Sequence, residues 1–279
     1  MKKTITTLFA GMLAFAGTAQ ELPAPSPLGA VEQKVGLTEI EIEYSRPSAK
    51  GRTIFGELVK HDEIWRLGAN MATKLEISTP IMIGGKELAK GEYSMQAIPA
   101  EKGDWKIIIN SEAGLRGLSG YDKEQDLVRL NAKAMVNSYT ETFTIGLDKL
   151  TNTSAVIAIE WEKLRVEVPF TVDTDKVAKE NIAAAIKEGK DLDKVYTNAA
   201  SYFSGIEDYK TALNYVDKSL KIKKAHPAMF TKAGILKAQG NKAEAIKTAK
   251  EALELANKAE SKGWAKLGKK SNFLFSKYS

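Results

Sequence analysis

Up to about residue 172 the apolar residues of this chain recur at every second position; beyond it they recur at every third and fourth. One kind of secondary structure cannot satisfy both periods, since side chains alternate across a strand but return to the same face of a helix after about 3.6 residues. Layered strands followed by packed helices are therefore expected, as two units rather than one.

In Thr38-Glu-Ile-Glu-Ile-Glu-Tyr44 the residues Ile40, Ile42 and Tyr44 share one face and Glu39, Glu41 and Glu43 the other, which predicts a half-buried strand. The pattern recurs at Leu75 and Ile77, Ile81 and Ile83, Tyr93 to Ala97, Phe143 to Leu147 and Leu164 to Phe170, with turns expected at Gly84-Gly85, Lys90-Gly91 and Glu162-Lys163. Trp105 to Asn110 and Ala155 to Trp161 are apolar at nearly every position and predict strands covered on both sides. So many short strands, each with one apolar face, predict an all-β antiparallel sandwich over residues 31–172.

From 173 to 279 the helical period takes over, with helices expected at 175–187, 192–203, 209–221, 228–239 and 243–257. Ala200 and Ala212 recur as Ala233 and Ala245, and Ser219 as Ala252, at one constant offset close to the period of a tetratricopeptide repeat. An all-α, tetratricopeptide-like helical-hairpin domain with about two units is predicted. Such an array ordinarily needs about three units to stand alone, so the helices are expected to dock on the β domain or on a partner, in the form of a protein or peptide.

Compartment follows from the first residues. Lys2 and Lys3 precede the apolar run Ile5 to Ala16, and Gly17-Thr18-Ala19 precedes Gln20, which predicts a secretory signal peptide over 1–19 and an extended linker over 20–30. That run is too short to span a bilayer. The chain contains no cysteine, so neither a lipoprotein anchor nor a disulfide is expected, and the export predicted is to the periplasm or the medium. Lysine and arginine exceed aspartate and glutamate by 41 to 35, an imbalance too mild to predict nucleic-acid binding.

Between the strand ending at Tyr44 and Asn70 lies a stretch that fits neither period. It carries Arg46, Lys50, Arg52, Lys60 and Arg66 against Glu57, Asp62 and Glu63, with Tyr44, Phe55 and Trp65 interleaved. Guanidinium groups pair in a planar fork with carboxylates or phosphates and stack on rings. Tyr44, Arg46, Lys50, Arg52, Trp65, Arg66 and Asn70 are therefore candidate residues for binding an anionic or glycan ligand. The competing reading is that the arginines bond main-chain carbonyls and hold a long loop down.

Pro27-Leu-Gly-Ala-Val-Glu-Gln-Lys-Val-Gly-Leu-Thr38, Tyr44-Ser-Arg-Pro47, Lys50-Gly-Arg52, Ile54-Phe-Gly56, Trp65-Arg66, Gly68-Ala-Asn70, Ala72-Thr73, Gly91-Glu-Tyr-Ser94 and Ile98-Pro99 occur in an order that resembles the bacterial domain-of-unknown-function family 2911. The resemblance runs from about Pro25 to Val172. It implies an exported β-rich domain, sometimes joined to tetratricopeptide-like helices, with no established activity. The chain departs from the family at His61-Asp62, where a tyrosine-glycine pair is usual, and at Met71, where an acid is frequent.

No catalytic constellation is legible. Two histidines, His61 and His226, fall in different units, which predicts neither a metal nor a cofactor. His61 reads as a solvated loop residue. No Gly-x-Ser-x-Gly turn presents a serine nucleophile, and Glu160 and Glu162, beside Trp161, read as solvent-facing. Gly84-Gly85-Lys86 reads as a hairpin turn rather than a phosphate loop. The tail from Lys258 to Ser279, rich in lysine and aromatic residues, reads as a terminal helix closing the repeats. The sequence favours an exported binding protein; an envelope hydrolase or lyase acting on a glycan or peptide, and a purely structural envelope protein, stay open.

Overall fold

A computed structural model describes residues 22–259. The signal peptide read over 1–19 and the tail from 260 lie outside the described residues. The chain divides into two compact units between Val172 and Asp173.

The first unit contains nine antiparallel strands: β1 (Leu28–Val35), β2 (Thr38–Ser45), β3 (Ala69–Ile77), β4 (Ile81–Ile83), β5 (Lys86–Leu88), β6 (Gly91–Ile98), β7 (Trp105–Asn110), β8 (Asp126–Asp148) and β9 (Ser154–Val172). β1 starts at Leu28, inside the segment read as linker. The strands lie in the order β1-β2-β3-β6-β7-β8-β9-β4-β5. The alternation of β2 is realised as read: Ile40, Ile42 and Tyr44 are buried, and Glu39 and Glu43 are exposed.

The sheet doubles back through β8. Its first part pairs with β7, Trp105 facing Ala132, and its remainder pairs with β9, Lys133 facing Glu167. Ile42, Leu75, Met95 and Ile107 from one side thereby share a single core with Phe143, Ile159, Val168 and Phe170 from the other, which is the sandwich. The turn expected at Glu162-Lys163 is absent. β9 runs through it unbroken, and Glu162 takes up a left-handed conformation (φ 49°) where the ladder bulges. Bulges add residues to one strand and bend it, so a single long strand does here what two strands and a turn were expected to do.

That irregularity builds the floor of the loop after β2. Between Thr140 and Thr144 β8 advances four residues while β9 moves only from Glu162 to Glu160. The residues released, Glu141 to Phe143, pair instead with the loop: the Phe143 N–H donates to Pro47 O (2.9 Å) and the Ala49 N–H to Glu141 O (2.8 Å). Beneath them Trp65, Phe143 and Trp161 pack face and edge at centroid separations of 5.2 to 6.0 Å.

Among the described residues the second unit holds five helices, α1 (Thr174–Glu188), α2 (Leu192–Gly205), α3 (Tyr209–Ile222), α4 (His226–Ala238) and α5 (Lys242–Lys258). Asp173 and Asp208 cap α1 and α3, each accepting from a main-chain N–H in the first turn. Pro227 stands in the first turn of α4, where its missing N–H costs nothing. α2 packs against α3 and α4 against α5 as two hairpins. The residues repeated along the sequence, Ala200 with Ala233, Ala212 with Ala245 and Ser219 with Ala252, are all buried, as close helix approach requires.

Among the described residues no helix is long and apolar enough to cross a membrane.

Candidate functional site: an arginine-lined pocket

The loop from Arg46 to Gly68 is ordered by bonds to residues far along the chain. The Lys50 N–H donates to Glu141 Oε1 (2.7 Å) and the Ile54 N–H to Glu162 Oε1 (3.2 Å). Near the other end, Trp65 and Ala97 exchange main-chain bonds of 2.7 and 2.9 Å. Glu162 is thus half-buried and engaged, and Glu160 is ion-paired to Arg165; neither faces open solvent as expected. Glu141 is held below the usual glutamate range, first by the bond from the Lys50 N–H and then by the Tyr139 hydroxyl.

The structure separates the seven candidates. Tyr44 is buried; its hydroxyl accepts from the Ile145 N–H (2.8 Å) and donates to Ile145 O (2.9 Å). Arg46 donates through Nε to Phe143 O (3.2 Å) and through Nη2 to Thr144 Oγ1 (3.0 Å), with its guanidinium over the Tyr44 ring. Both belong to the scaffold, so the competing reading holds for them. The Lys50 side chain is exposed and does not join the pocket lined by the others.

The other four converge. Arg52, Trp65, Arg66 and Asn70 line an open pocket of about 330 Å³ together with Ser26, Pro47, Leu58, Val59, Gly68, Ala69 and Trp161. Trp65 is buried and borders it, donating through Nε1 to Gly68 O (3.1 Å). Asn70 Nδ2 donates to Ser26 O (3.3 Å) and Ser45 Oγ (3.1 Å), which ties the segment ahead of β1 to the rim. Arg52 spends Nε on Ala49 O (2.9 Å) and Nη2 on Ser48 O (2.7 Å). Among the described residues Arg66 gives only Nη1, to Asn70 O (3.2 Å).

Backbone strain is concentrated at this rim. Leu67 (φ 57°), Gly68 (φ 143°) and Asn70 (φ 58°) all take positive φ within four residues. Each such non-glycine residue costs about 1–3 kcal/mol and persists only where its surroundings hold it. Thr73 supplies part of that hold, its hydroxyl donating to Leu67 O.

Ser26, Leu58 and Trp161 escaped the sequence reading. Exposed Leu58 was the one legible hint, an apolar side chain in a polar loop; Trp161 sits in a uniformly apolar strand, and nothing distinguishes it there. His61, read as solvated, is half-buried with Nδ1 enclosed and without a partner among the described residues.

A second concavity, about 430 Å³, lies over β1, β2 and β3 and is bordered by Glu32, Glu39, Glu41 and Glu76 with Lys34. Glu41 stands directly between Glu32 and Glu76 in the ladder, and Glu76 faces Glu92. Lys74 pairs with Glu76 (3.5 Å) and Glu92 (2.9 Å), which leaves Glu41 between two like charges.

The family described as "Protein of unknown function (DUF2911)" matches residues 26–170. The chain belongs to that family. The DUF2911 match contains the whole rim of the pocket, from Ser26 to Trp161, and stops before the helical unit. No curated protein and no solved structure matches the chain.

Proposed function

We propose that this DUF2911 protein is an exported, non-enzymatic binding protein whose β unit takes a small anionic ligand in the arginine-lined pocket. The observation that carries the reading is the state of Arg66. Its guanidinium stands at the pocket with one N–H committed to a main-chain carbonyl, and the side chains of the lining bring no carboxylate to neutralise it. A cation left in that condition is a receptor for an anion. The polar lining consists of arginine N–H groups, a serine hydroxyl and the Asn70 amide, whose two N–H groups are already given to Ser26 O and Ser45 Oγ, so the arginines are what suits it to holding an anion. Isothermal titration of the mature protein with small anions, repeated on Arg66→Gln, tests it: heat that saturates in the parent and vanishes in the variant is expected.

Export rests on the signal peptide read in residues 1–19, and N-terminal sequencing of the protein recovered from the cell envelope or medium should begin at Gln20. The helical unit is proposed to act as a tetratricopeptide-like adaptor for a protein or peptide, supported by its two hairpins and their matched buried small residues. Pull-down from envelope extracts with and without that unit tests the adaptor role, and identical partners in both would remove it.

A further inference from the structure

We infer that the ligand of this pocket is a small carboxylate, a sugar acid or the free carboxyl end of a short peptide, held side-on by the Nε–Nη2 edge of Arg66. The inference rests on the pocket being a binding site and specifies its chemistry.

A guanidinium offers two forks. Arg66 closes one of them by giving Nη1 to Asn70 O (3.2 Å), and the loop before β8 leaves little room beside the same atom, since a Cβ added at Gly117 would lie 3.0 Å from Nη1. The side chain is thereby pinned on one side. Its other edge, Nε with Nη2, has no acceptor among the described residues, and Arg66 as a whole is half-buried and lines the pocket. Two parallel N–H groups match the two oxygens of one carboxylate.

Phosphate has the same reach and more oxygens to satisfy. Arg52, the other cation of the lining, has already committed Nε and Nη2 to main-chain carbonyls, and apart from Ser26, Asn70 and the small Gly68 and Ala69 the remaining wall is Pro47, Leu58, Val59 and two indoles. No lysine lines the pocket. Beyond the Arg66 fork the further oxygens of a phosphate would depend on the Ser26 hydroxyl and Arg52 Nη1 in a lining that is otherwise mostly apolar, and burying an unpaired charged oxygen is expensive. A carboxylate uses the open fork fully and can turn an apolar or ring face to Leu58 and Pro47. At about 30 Å³ per water, the space holds roughly ten waters, the size of a monosaccharide acid or a dipeptide. The absence of a Cβ at Gly117 leaves room for the Arg66 guanidinium, which makes Gly117 a positioning residue.

Titration calorimetry and tryptophan emission of the full mature chain against D-glucuronate, N-acetylalanine, their neutral counterparts glucose and N-acetylalaninamide, and inorganic phosphate and sulfate test this directly. Saturable binding of one or both carboxylates is expected, with the neutral compounds inert, and the tighter of the two acids names the source. Arg66→Lys keeps the charge and loses the fork, and should weaken carboxylate binding about tenfold or more. Gly117→Ala should weaken it too, while urea unfolding shows that both variants are folded. Phosphate or sulfate binding as tightly as the acids, or Arg66→Lys binding as well as the parent, overturns the carboxylate assignment while leaving an anion pocket. Silence from every anion overturns the binding site itself.

Discussion

Replacing Gly68 by alanine should destabilise the β unit several times more than the same change at Gly85, although both glycines have positive φ. Gly85 (φ 75°) turns between β4 and β5 with nothing within 4 Å of where a Cβ would stand. Alanine there meets only the left-handed backbone penalty, about 1–2 kcal/mol, less a few tenths gained from a stiffer unfolded chain. Gly68 (φ 143°) lies in a region that L residues rarely enter, and its Cβ would stand 2.9 Å from the main-chain oxygen of Ser45. That oxygen belongs to β2 and cannot swing aside as a side chain would. A backbone term of about 1–3 kcal/mol and an overpacking term of similar size make about 3–5 kcal/mol, or a fall in Tm on the order of 10 °C for a unit of this length. Urea unfolding followed by tryptophan emission suits the comparison, because Trp65, Trp105 and Trp161 all lie in the β unit; a Trp264→Phe background removes the fourth indole. If the two alanine variants differ by less than about 1 kcal/mol, the close approach of the rim to β2 is refuted, and with it the geometry of the pocket.

Arg46→Met should cost about 1–3 kcal/mol by leaving Phe143 O without a donor, yet leave anion titration unchanged, since Arg46 is scaffold. Glu41→Lys should raise stability by about 0.5–1 kcal/mol at low ionic strength, a gain that shrinks in salt, because it places a cation between Glu32 and Glu76. The depressed carboxyl of Glu141 contributes stability that is present above the unfolded glutamate value of 4.5 and is lost as pH falls through the lower folded value. The difference in Tm between the parent and Glu141→Gln should therefore be largest near neutrality and vanish in acid. Ala233→Leu, at a site 2% exposed in the helix interface, should cost about 1–3 kcal/mol in circular dichroism melts of the helical signal.

The change of period near 172 was legible because each unit carries its pattern locally. All five helices fall within two residues of their expected ends, and the strands with one apolar face, such as β2, need no distant information. The middle of β8 does need it. Val128, Leu130, Ala132 and Ala134 alternate with Arg129, Asn131 and Lys133, but Val136 to Glu141 hold no such period, and the strand continues through them because β9 accepts it into the sheet. The bulge that replaced the turn at Glu162 has the same origin, a register set by a partner strand. Among the candidate residues, chemistry alone could not separate Arg46 from Arg66. Both are arginines in one loop, and what divides them is whether main-chain carbonyls reach the guanidinium. For Arg46 that acceptor is Phe143, 97 positions away. Arg52 shows the intermediate case: it lines the pocket as the sequence suggested while holding its own loop in shape, as the competing reading required.

The most direct measurement is nitrogen-15 NMR of the arginine side chains during titration with glucuronate and N-acetylalanine. A saturating shift of the Arg66 Nε–H resonance with Arg46 and Arg52 unmoved is the expected result. Shifts centred on Arg46 or Arg52, or no arginine responding to either acid, would contradict the assignment of Arg66 as the open receptor of this fold.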